Sequence, residues 1–516
     1  MTYYAIWYKI YYLKKIIKRC IMLKRISCIL LCVLMLACTL VLASCNNSED
    51  ESKPDVSVDA ETAGFLNEAK HWGGEKVNIL TFAKDSYTFS DCEIDPEELL
   101  DEPVNDAFYE RNALIEEKYG IDIVGCFPEQ GEDYIAMLRK DMESGLNEYD
   151  AICAAITYTA PLATEGLFYD FASIENGYIH YNEAWWDQPL ILDTAINGNI
   201  YFISGDAIVL DDEATWAIFF NKDLVKTYNL EDPYQIVRDG NWNFDTMHEL
   251  IKGVDLMHGA TKSYDPEVGD QWGMVVQSYD FLLFMQGAGQ TLVDNTGERP
   301  KFRIDDARNI QVFTNFTNMV YDEQNVGIAD RMGYWEDMYV NEGKIFENGN
   351  ALFMPNSISI VNGEGLRNAE IHYGLLPMPK ADELQDDYTT SVNVYRYPVF
   401  AIPTSNISKL DVTCYALEAM AYYGKELVTE EYYDRTLTYK RFQDDDSREM
   451  LDLIFRNRTY DLGTIFNFNN GGGDGSLYFY TKLIGKLSTD IVSTYETQKD
   501  NYNAGLQSFI EQCYGE

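Results

Sequence analysis

Strand patterns alternate with helix patterns through the first part of this sequence, and this order restricts the fold more than any other feature. Buried-type apolar runs at 77–82, 121–124 and 149–154 predict three strands. Helical spacing of apolar residues at 103–119 and 133–144 predicts a helix between each pair, the first ended by Gly120. This order predicts a parallel sheet with right-handed crossovers, whose ligands bind beyond the carboxyl ends of the strands.

A second set of strands follows after Trp216. Apolar runs predict strands at 216–220, 271–276, 351–354, 371–376 and 399–402, and a helix spans 307–321. Helical patterns dominate after residue 407. At 516 residues the length predicts two to four domains, and the pattern predicts an α/β protein.

The N-terminal segment has the pattern of an export signal. A short basic stretch at 22–25 precedes an almost wholly apolar run at 26–42, which ends in Leu42-Ala43-Ser44-Cys45. These four residues match the lipobox of bacterial lipoproteins, in which Cys45 is the lipidated first residue. We expect a signal peptide over 1–44 with translation starting at Met22, and a solvated tether over 45–74. The alternative is a simple transmembrane anchor.

The charge of the chain limits its partners. Lys and Arg number 40 against 84 Asp and Glu, a net charge of −44. Binding to phosphate backbones depends on basic contacts, which argues against a nucleic-acid partner. The same charge repels anionic lipid, so we expect membrane attachment through the lipid anchor only. The abundant tyrosines, 38 in all, exceed what a core needs and favour an aromatic contact surface.

The residue types that carry most enzyme and metal chemistry are sparse or scattered. Beyond Cys45 the five cysteines are odd in number and form no CxxC pair, so we predict free thiols, with one long-range disulfide left open: Cys92, Cys126, Cys153, Cys414 and Cys513. The five histidines have no HExxH spacing, and no G-x-S-x-G motif occurs. We therefore predict no metal, no cofactor and no enzyme activity, although paired carboxylates leave a glycoside hydrolase as an alternative.

Several segments between about residue 75 and residue 516 resemble bacterial solute-binding proteins of ABC importers, the family that includes maltodextrin-binding proteins. Each segment is short, and their shared order along the chain carries the resemblance. They are the helix-like 105–120, Glu165 to Phe171, Asn197 to Tyr201 followed by 216–222, Gly240 to Asp245, 351–354 and Leu376 to Lys380.

The resemblance implies a two-lobed type II periplasmic-binding-protein fold of the α/β class, with a hinge between the lobes. It places lobe one at 75–212 plus 397–428 and lobe two at 213–396 plus 429–516. A ligand would lie in the cleft between the lobes, and hinge closure would bury it. The closed form, expected to be a monomer, would dock on ABC-transporter permease subunits at the outer face of the cell membrane.

Carbohydrates favour aromatic platforms and planar polar side chains, and the family's cleft positions suggest where these lie. Trp216 and Tyr279 could equally be core residues, and Asp212 could belong to a solvated turn. The predicted ligand-binding residues are Thr157, Tyr158, Asp212, Trp216, Tyr279, Asn356, Ser357, Asp474 and Tyr478. We expect a lipoprotein that captures a carbohydrate, an oligosaccharide, for an ABC permease. The alternatives are a surface glycan-binding lipoprotein without transport and the hydrolase.

Overall fold

The computed structural model describes most of the chain beyond the N-terminal segment. It covers residues 70–254, 271–322, 324–331, 341–433, 437, 442, 444–471 and 474–515. The predicted signal peptide, the lipidation at Cys45 and the tether up to residue 69 lie outside these ranges. Within the described ranges, no helix combines the length and the apolar character that a bilayer crossing requires.

Eleven strands form two main sheets and a small ribbon in the part of the chain that the structure describes. They are β1 (Glu75–Leu80), β2 (Ile121–Cys126), β3 (Ala151–Ala155), β4 (Trp216–Asn221), β5 (Trp272–Val276), β6 (Val293–Asp294), β7 (Lys301–Phe302), β8 (Val326–Ile328), β9 (Ala351–Ser357), β10 (Tyr373–Leu376) and β11 (Pro398–Ala401).

Helices cover the sheets and connect the strands. They are α1 (Pro103–Tyr119), α2 (Tyr134–Ser144), α3 (Ile156–Thr164), α4 (Gln188–Asp193), α5 (Leu210–Glu213), α6 (Lys222–Thr227), α7 (Pro233–Arg238), α8 (Phe244–Lys252), α9 (Asp280–Gly287), α10 (Ala307–Asp322), α11 (Asn341–Glu347), α12 (Glu364–Asn368), α13 (Leu410–Tyr423), α14 (Asp445–Arg456), α15 (Leu462–Ile465), α16 (Phe479–Gly485) and α17 (Ile491–Tyr514). A π-helix, Gly424–Thr429, continues α13.

The first sheet has the strand order β11-β3-β1-β2. β1 lies parallel to both β2 and β3, with Glu75 opposite Ile121 and Ile79 opposite Ala151. This confirms the predicted parallel sheet. β11 joins its edge antiparallel to β3, with Val399 opposite Ala154, and α13 packs on the same sheet.

The second sheet has the order β10-β4-β9-β5-β8. β4 runs antiparallel to β10 and β9, whereas β5 runs parallel to β9 and β8. All six residues of β4 are buried, which explains why its sequence is a continuous apolar run. The two sheets are separate, and helices pack on each of them. We propose that the two predicted lobes correspond to these two sheets with their helices.

The chain crosses between the sheets after β3, after β10 and after α13. A buried ion-pair network joins these crossing segments around Arg458, whose side chain is 9% exposed. Its guanidinium nitrogens lie 3.0 Å from Asp187 Oδ2 and 2.9 Å from Asp212 Oδ1. The Tyr397 hydroxyl, on the segment before β11, donates to the same Asp187 oxygen at 2.9 Å. The network thus connects residues that are far apart in sequence.

The five cysteines beyond the leader are free thiols, as predicted, so the alternative of a long-range disulfide is wrong. Burial raises the pKa of the Cys92, Cys153 and Cys414 thiols. Apolar burial of this kind is typical of structural cysteines rather than of reactive ones.

Candidate functional site

A cavity of about 390 Å³ lies between the two sheets. The loop after β1 forms one wall, α11 and the segment around β9 form the opposite wall, and crossing segments form the floor. Its lining residues are Ser86, Tyr87, Thr88, Leu210, Glu213, Gly343, Lys344, Glu347, Asn356, Ser359, Ile360, Gly363 and Arg396. The position agrees with the expectation that ligands bind beyond the carboxyl end of β1.

A row of tyrosines adjoins this cavity through Tyr87, which is one of its lining residues. The Tyr134 and Tyr158 rings lie 6.4 Å apart, and Tyr158 and Tyr395 lie 5.9 Å apart. The Tyr395 and Tyr478 hydroxyls share a 2.5 Å hydrogen bond. Tyr87 donates from its hydroxyl to the Tyr395 carbonyl oxygen at 3.4 Å. Because Tyr158 is 49% exposed, part of this row faces solvent and is available to a ligand.

Trp216 and Tyr279 continue the aromatic surface on the second sheet. Their rings lie 6.2 Å apart, and the indole Nε1 of Trp216 has no hydrogen-bond partner in the described part of the chain. Burial, with the neighbouring Tyr478 phenol, raises the pKa of Tyr279. Trp216 is only 7% exposed, so it packs behind the aromatic surface and presents little of its ring to a ligand.

The polar groups of the cavity are mostly planar. The Arg396 guanidinium lies 5.2 Å from the Tyr87 ring centre and donates from Nη1 to Ser359 Oγ at 3.0 Å. Asn356 donates from Nδ2 to Glu342 Oε1 at 2.8 Å. The buried Glu213 carboxyl group accepts from the Asn362 amide, and its second oxygen has no hydrogen-bond partner among the described residues.

Burial controls the carboxyl groups here. It raises the pKa of Glu213 from 4.5 to about 8, against the lowering effects of Asn362 and Arg396. Burial also raises the pKa of Asp280 to about 7 and that of Glu342 well above its usual range. The Asn356 amide therefore bonds to a carboxyl group whose pKa is raised by burial.

Four of the predicted site residues, Tyr158, Trp216, Tyr279 and Tyr478, lie in the aromatic surface, and Asn356 lines the cavity. Ser357 lies beside Asn356, but it is 3% exposed and its hydroxyl bonds to Ser359 Oγ at 2.7 Å.

Three predicted site residues have other contacts. Thr157 donates from its hydroxyl to the Ile465 carbonyl oxygen at 3.1 Å. Asp212 belongs to the Arg458 network rather than to a solvated turn. Asp474 lies 3.2 Å from Lys482 Nζ with a side chain that is 64% exposed. These contacts give the three residues structural or surface roles in this conformation.

Sequence reasoning missed Tyr87, Tyr134, Tyr395, Arg396 and Glu213. Tyr87 lies seven residues after β1 ends, so the rule that ligands bind beyond strand ends could have found it. Tyr395 and Arg396 lie in a segment without helical or strand periodicity, and no local pattern marks them.

Two larger cavities lie elsewhere. One, of about 460 Å³, opens beside Arg139 and Glu165, and the other, of about 490 Å³, lies against Arg458 and Asp206. Neither is lined by the loop after β1 or by the segment around β9. We therefore take the cavity with Tyr87 and Asn356 as the candidate site.

Solved structures with this architecture include several two-lobed periplasmic-binding-type proteins. A sugar transporter of Rhizobium etli in an open conformation aligns with a TM-score of 0.53 at 12% identity, over 86% of this chain and 99% of its own. An ABC substrate-binding protein of Listeria monocytogenes, in complex with cycloalternan, gives 0.51 at 13% identity, over 84% and 99%. UgpB of Mycobacterium tuberculosis, in complex with glycerophosphocholine, gives 0.52 at 15%, over 78% and 95%.

At these identities the similarity establishes the fold, a two-lobed α/β architecture of the periplasmic-binding type, as predicted. A search of curated protein sequences gives no match. The family model of bacterial extracellular solute-binding proteins matches residues 94–406, which include most of both sheets. The chain therefore belongs to the family of bacterial extracellular solute-binding proteins.

Proposed function

We propose that this protein captures a carbohydrate, an oligosaccharide, in the cavity between its two sheets and delivers it to an ABC permease. The observation that carries the proposal is the composition of the cavity. The Tyr87 ring and the planar groups of Arg396 and Asn356 line one space, and a row of further tyrosines adjoins it. Sugars offer flat C–H faces rimmed with hydroxyls, which suit such groups.

The neighbours support the ligand class. The Listeria protein holds cycloalternan, and the Rhizobium protein is a sugar transporter. Glycerophosphocholine in the Mycobacterium protein shows that the same fold also accepts a ligand that is not a sugar. The exposed tyrosine row supports a sugar here, because tyrosine rings offer a flat apolar surface on which a pyranose face can stack.

The family and the leader pattern support the proposed delivery and anchoring. A solute-binding protein leaves its ligand chemically unchanged, and a lipid on Cys45 would hold it at the outer face of the membrane. Docking of the loaded form on permease subunits completes the proposed role. A glycan-binding lipoprotein without transport uses the same cavity, and it differs only in having no permease partner.

Calorimetric titration of the purified full chain with a panel of oligosaccharides tests the capture step. We expect saturable binding, with the ligand recovered unchanged. Replacing Tyr158 with Ala should weaken binding by about 1–3 kcal/mol if the ring stacks on sugar. Tyr109→Ala, at an exposed tyrosine on α1 outside the cavity, is the matched control and should leave affinity unchanged.

Absence of binding across the panel, or equal affinity of the Tyr158→Ala and Tyr109→Ala variants for every bound sugar, would contradict the proposal. Release of a shortened product would instead support the hydrolase.

A further inference from the structure

The cavity between the sheets contains a guanidinium whose charge is not neutralised by an ion pair. Arg396 is half-buried, and its side chain donates to a neutral hydroxyl, Ser359 Oγ, at 3.0 Å. Among the described residues no carboxylate forms an ion pair with it.

One candidate for a counter-ion is Glu213, which lines the same cavity. Its side chain is fully buried and bonded to Asn362, and Arg396 acts on it through space rather than through an ion pair. Since burial raises the pKa of Glu213 to about 8, this carboxyl group is largely neutral at pH 7 and leaves the Arg396 charge uncompensated.

The other charged side chains at the cavity cancel each other. Lys344 Nζ lies 2.9 Å from Glu347 Oε2, and both residues line the same wall. Arg396 is therefore a charged lining residue of this cavity without an ion-pair partner among the described residues. A negatively charged group on a ligand would neutralise the charge of Arg396.

We propose that the carbohydrate captured here is acidic and that Arg396 binds its carboxylate. This inference rests on the proposed function and names the substrate class of the same cavity. The guanidinium fork matches a carboxylate with two parallel hydrogen bonds. The Tyr87 ring beneath Arg396 and the Ser359 hydroxyl hold the fork in place, and the adjoining tyrosines offer the sugar rings a stacking surface.

Paired ligands test this inference. The full chain is titrated at pH 7 with trigalacturonate and its fully methyl-esterified form, and with a glucuronate-containing oligosaccharide and its methyl ester. Because a hydrogen bond to a charged group is stronger than one to a neutral group, we expect the acid to bind roughly ten- to hundredfold tighter than its ester.

The Arg396→Gln variant should lose this preference, and Arg396→Lys, which keeps the charge but not the fork, should keep part of it. Arg139→Gln is the matched control, because Arg139 pairs with Glu165 at another cavity and the variant changes the net charge equally. It should retain the full preference. Thermal unfolding of each variant confirms that it is folded.

Equal or tighter binding of the esters, or a preference that survives in Arg396→Gln, overturns the inference. If the acids fail to bind while neutral oligosaccharides of the wider panel bind, the inference is wrong and the proposed function stands. If no carbohydrate binds, both are wrong.

Discussion

Arg458 shows what a single buried charge does in this molecule. Its guanidinium lies within ion-pair distance of Asp187 and Asp212, which belong to segments more than 240 residues earlier in the chain. Tyr397 and Tyr460 add hydrogen bonds to Asp187 at 2.9 Å and 2.5 Å. Such a network contributes little net free energy when complete, but removing one partner leaves buried charges without compensation.

Replacing Arg458 with Met should therefore lower the free energy of unfolding by about 3–5 kcal/mol, because Asp187 and Asp212 lose their counter-ion. Urea unfolding of the variant measures this loss. Arg456→Met is the control: Arg456 lies two residues earlier and is exposed, so this variant should unfold close to wild type. Similar stabilities for the two variants would contradict the role given to the network.

Glu213, which lines the candidate site, makes the stability of the folded protein depend on pH. The groups that act on it are Asn362 by hydrogen bond, Arg396 by attraction, and Glu93 and Asp212 by repulsion. Its pKa is raised from 4.5 in the unfolded chain to about 8 in the folded one, so the folded state holds a proton that the unfolded state has released. This contribution to stability is complete below about pH 4.5 and is lost as pH rises toward 8.

Glu213→Gln, which keeps the neutral shape, should accordingly gain stability relative to wild type as pH rises. The difference should grow by up to about 1.4 kcal/mol per pH unit between about pH 5 and pH 8. Denaturant unfolding of both proteins across this range measures it. Parallel stability curves would show that Glu213 is ionised in the folded state.

At the scale of elements, the π-helix after α13 depends on a glycine. Gly424 is buried, and a Cβ atom built there would collide with the Asp206 carbonyl oxygen, on the crossing segment before α5. Because the backbones at Gly424 and Asp206 lie so close together, the crossing segment after α13 can pass directly beside the crossing segment before α5. Only glycine permits this approach.

Gly424→Ala should destabilise the protein by about 1–3 kcal/mol, because two packed backbones must separate. Thermal unfolding provides the measurement. Gly485→Ala, in the last turn of α16, has open space around the new Cβ and should be neutral or slightly stabilising. An unchanged Gly424→Ala variant would mean that the crossing segments tolerate a wider spacing.

Local sequence signals predicted the elements better than their pairing. Helix α1 was predicted at its observed bounds, since Glu102 caps it and Gly120 ends it with φ near 60°. The helical patterns after residue 407 do not show that a 3-10 turn at Ser476–Tyr478 precedes α16. The antiparallel addition of β11 to β3 is a contact across more than 240 residues, which periodicity does not encode.

The candidate site was predictable only where side chains follow strands or match the family's cleft positions. Asn356 belongs to β9, whose apolar run was visible in the sequence. Tyr395 and Arg396 lie in the irregular segment before β11, and only the folding of that segment across the cavity floor gives them a role. Asp212, predicted to contact ligand, has its carboxylate held by Arg458, a partner 246 residues away.

At the scale of the whole molecule, two sheets with separate helical layers are joined by crossing segments that meet at the Arg458 network. This arrangement suits hinge motion, because the crossing segments are few and the ligand cavity lies between the layers. A ligand that contacts both walls of the cavity would bind the closed form more tightly than the open form. The equilibrium would then shift toward the closed form by the difference between these two binding free energies.

Hydrogen exchange of the full chain, with and without a saturating amount of its tightest-binding oligosaccharide, tests capture between the sheets. Ligand should slow exchange together in the loop at 84–90, in α11 and β9 at 343–360, and in the crossing segment at 393–397, since these segments surround one cavity. Slowing confined to one wall, or slowing only beside Arg139 and Thr404 at the separate surface cavity, would contradict capture between the sheets.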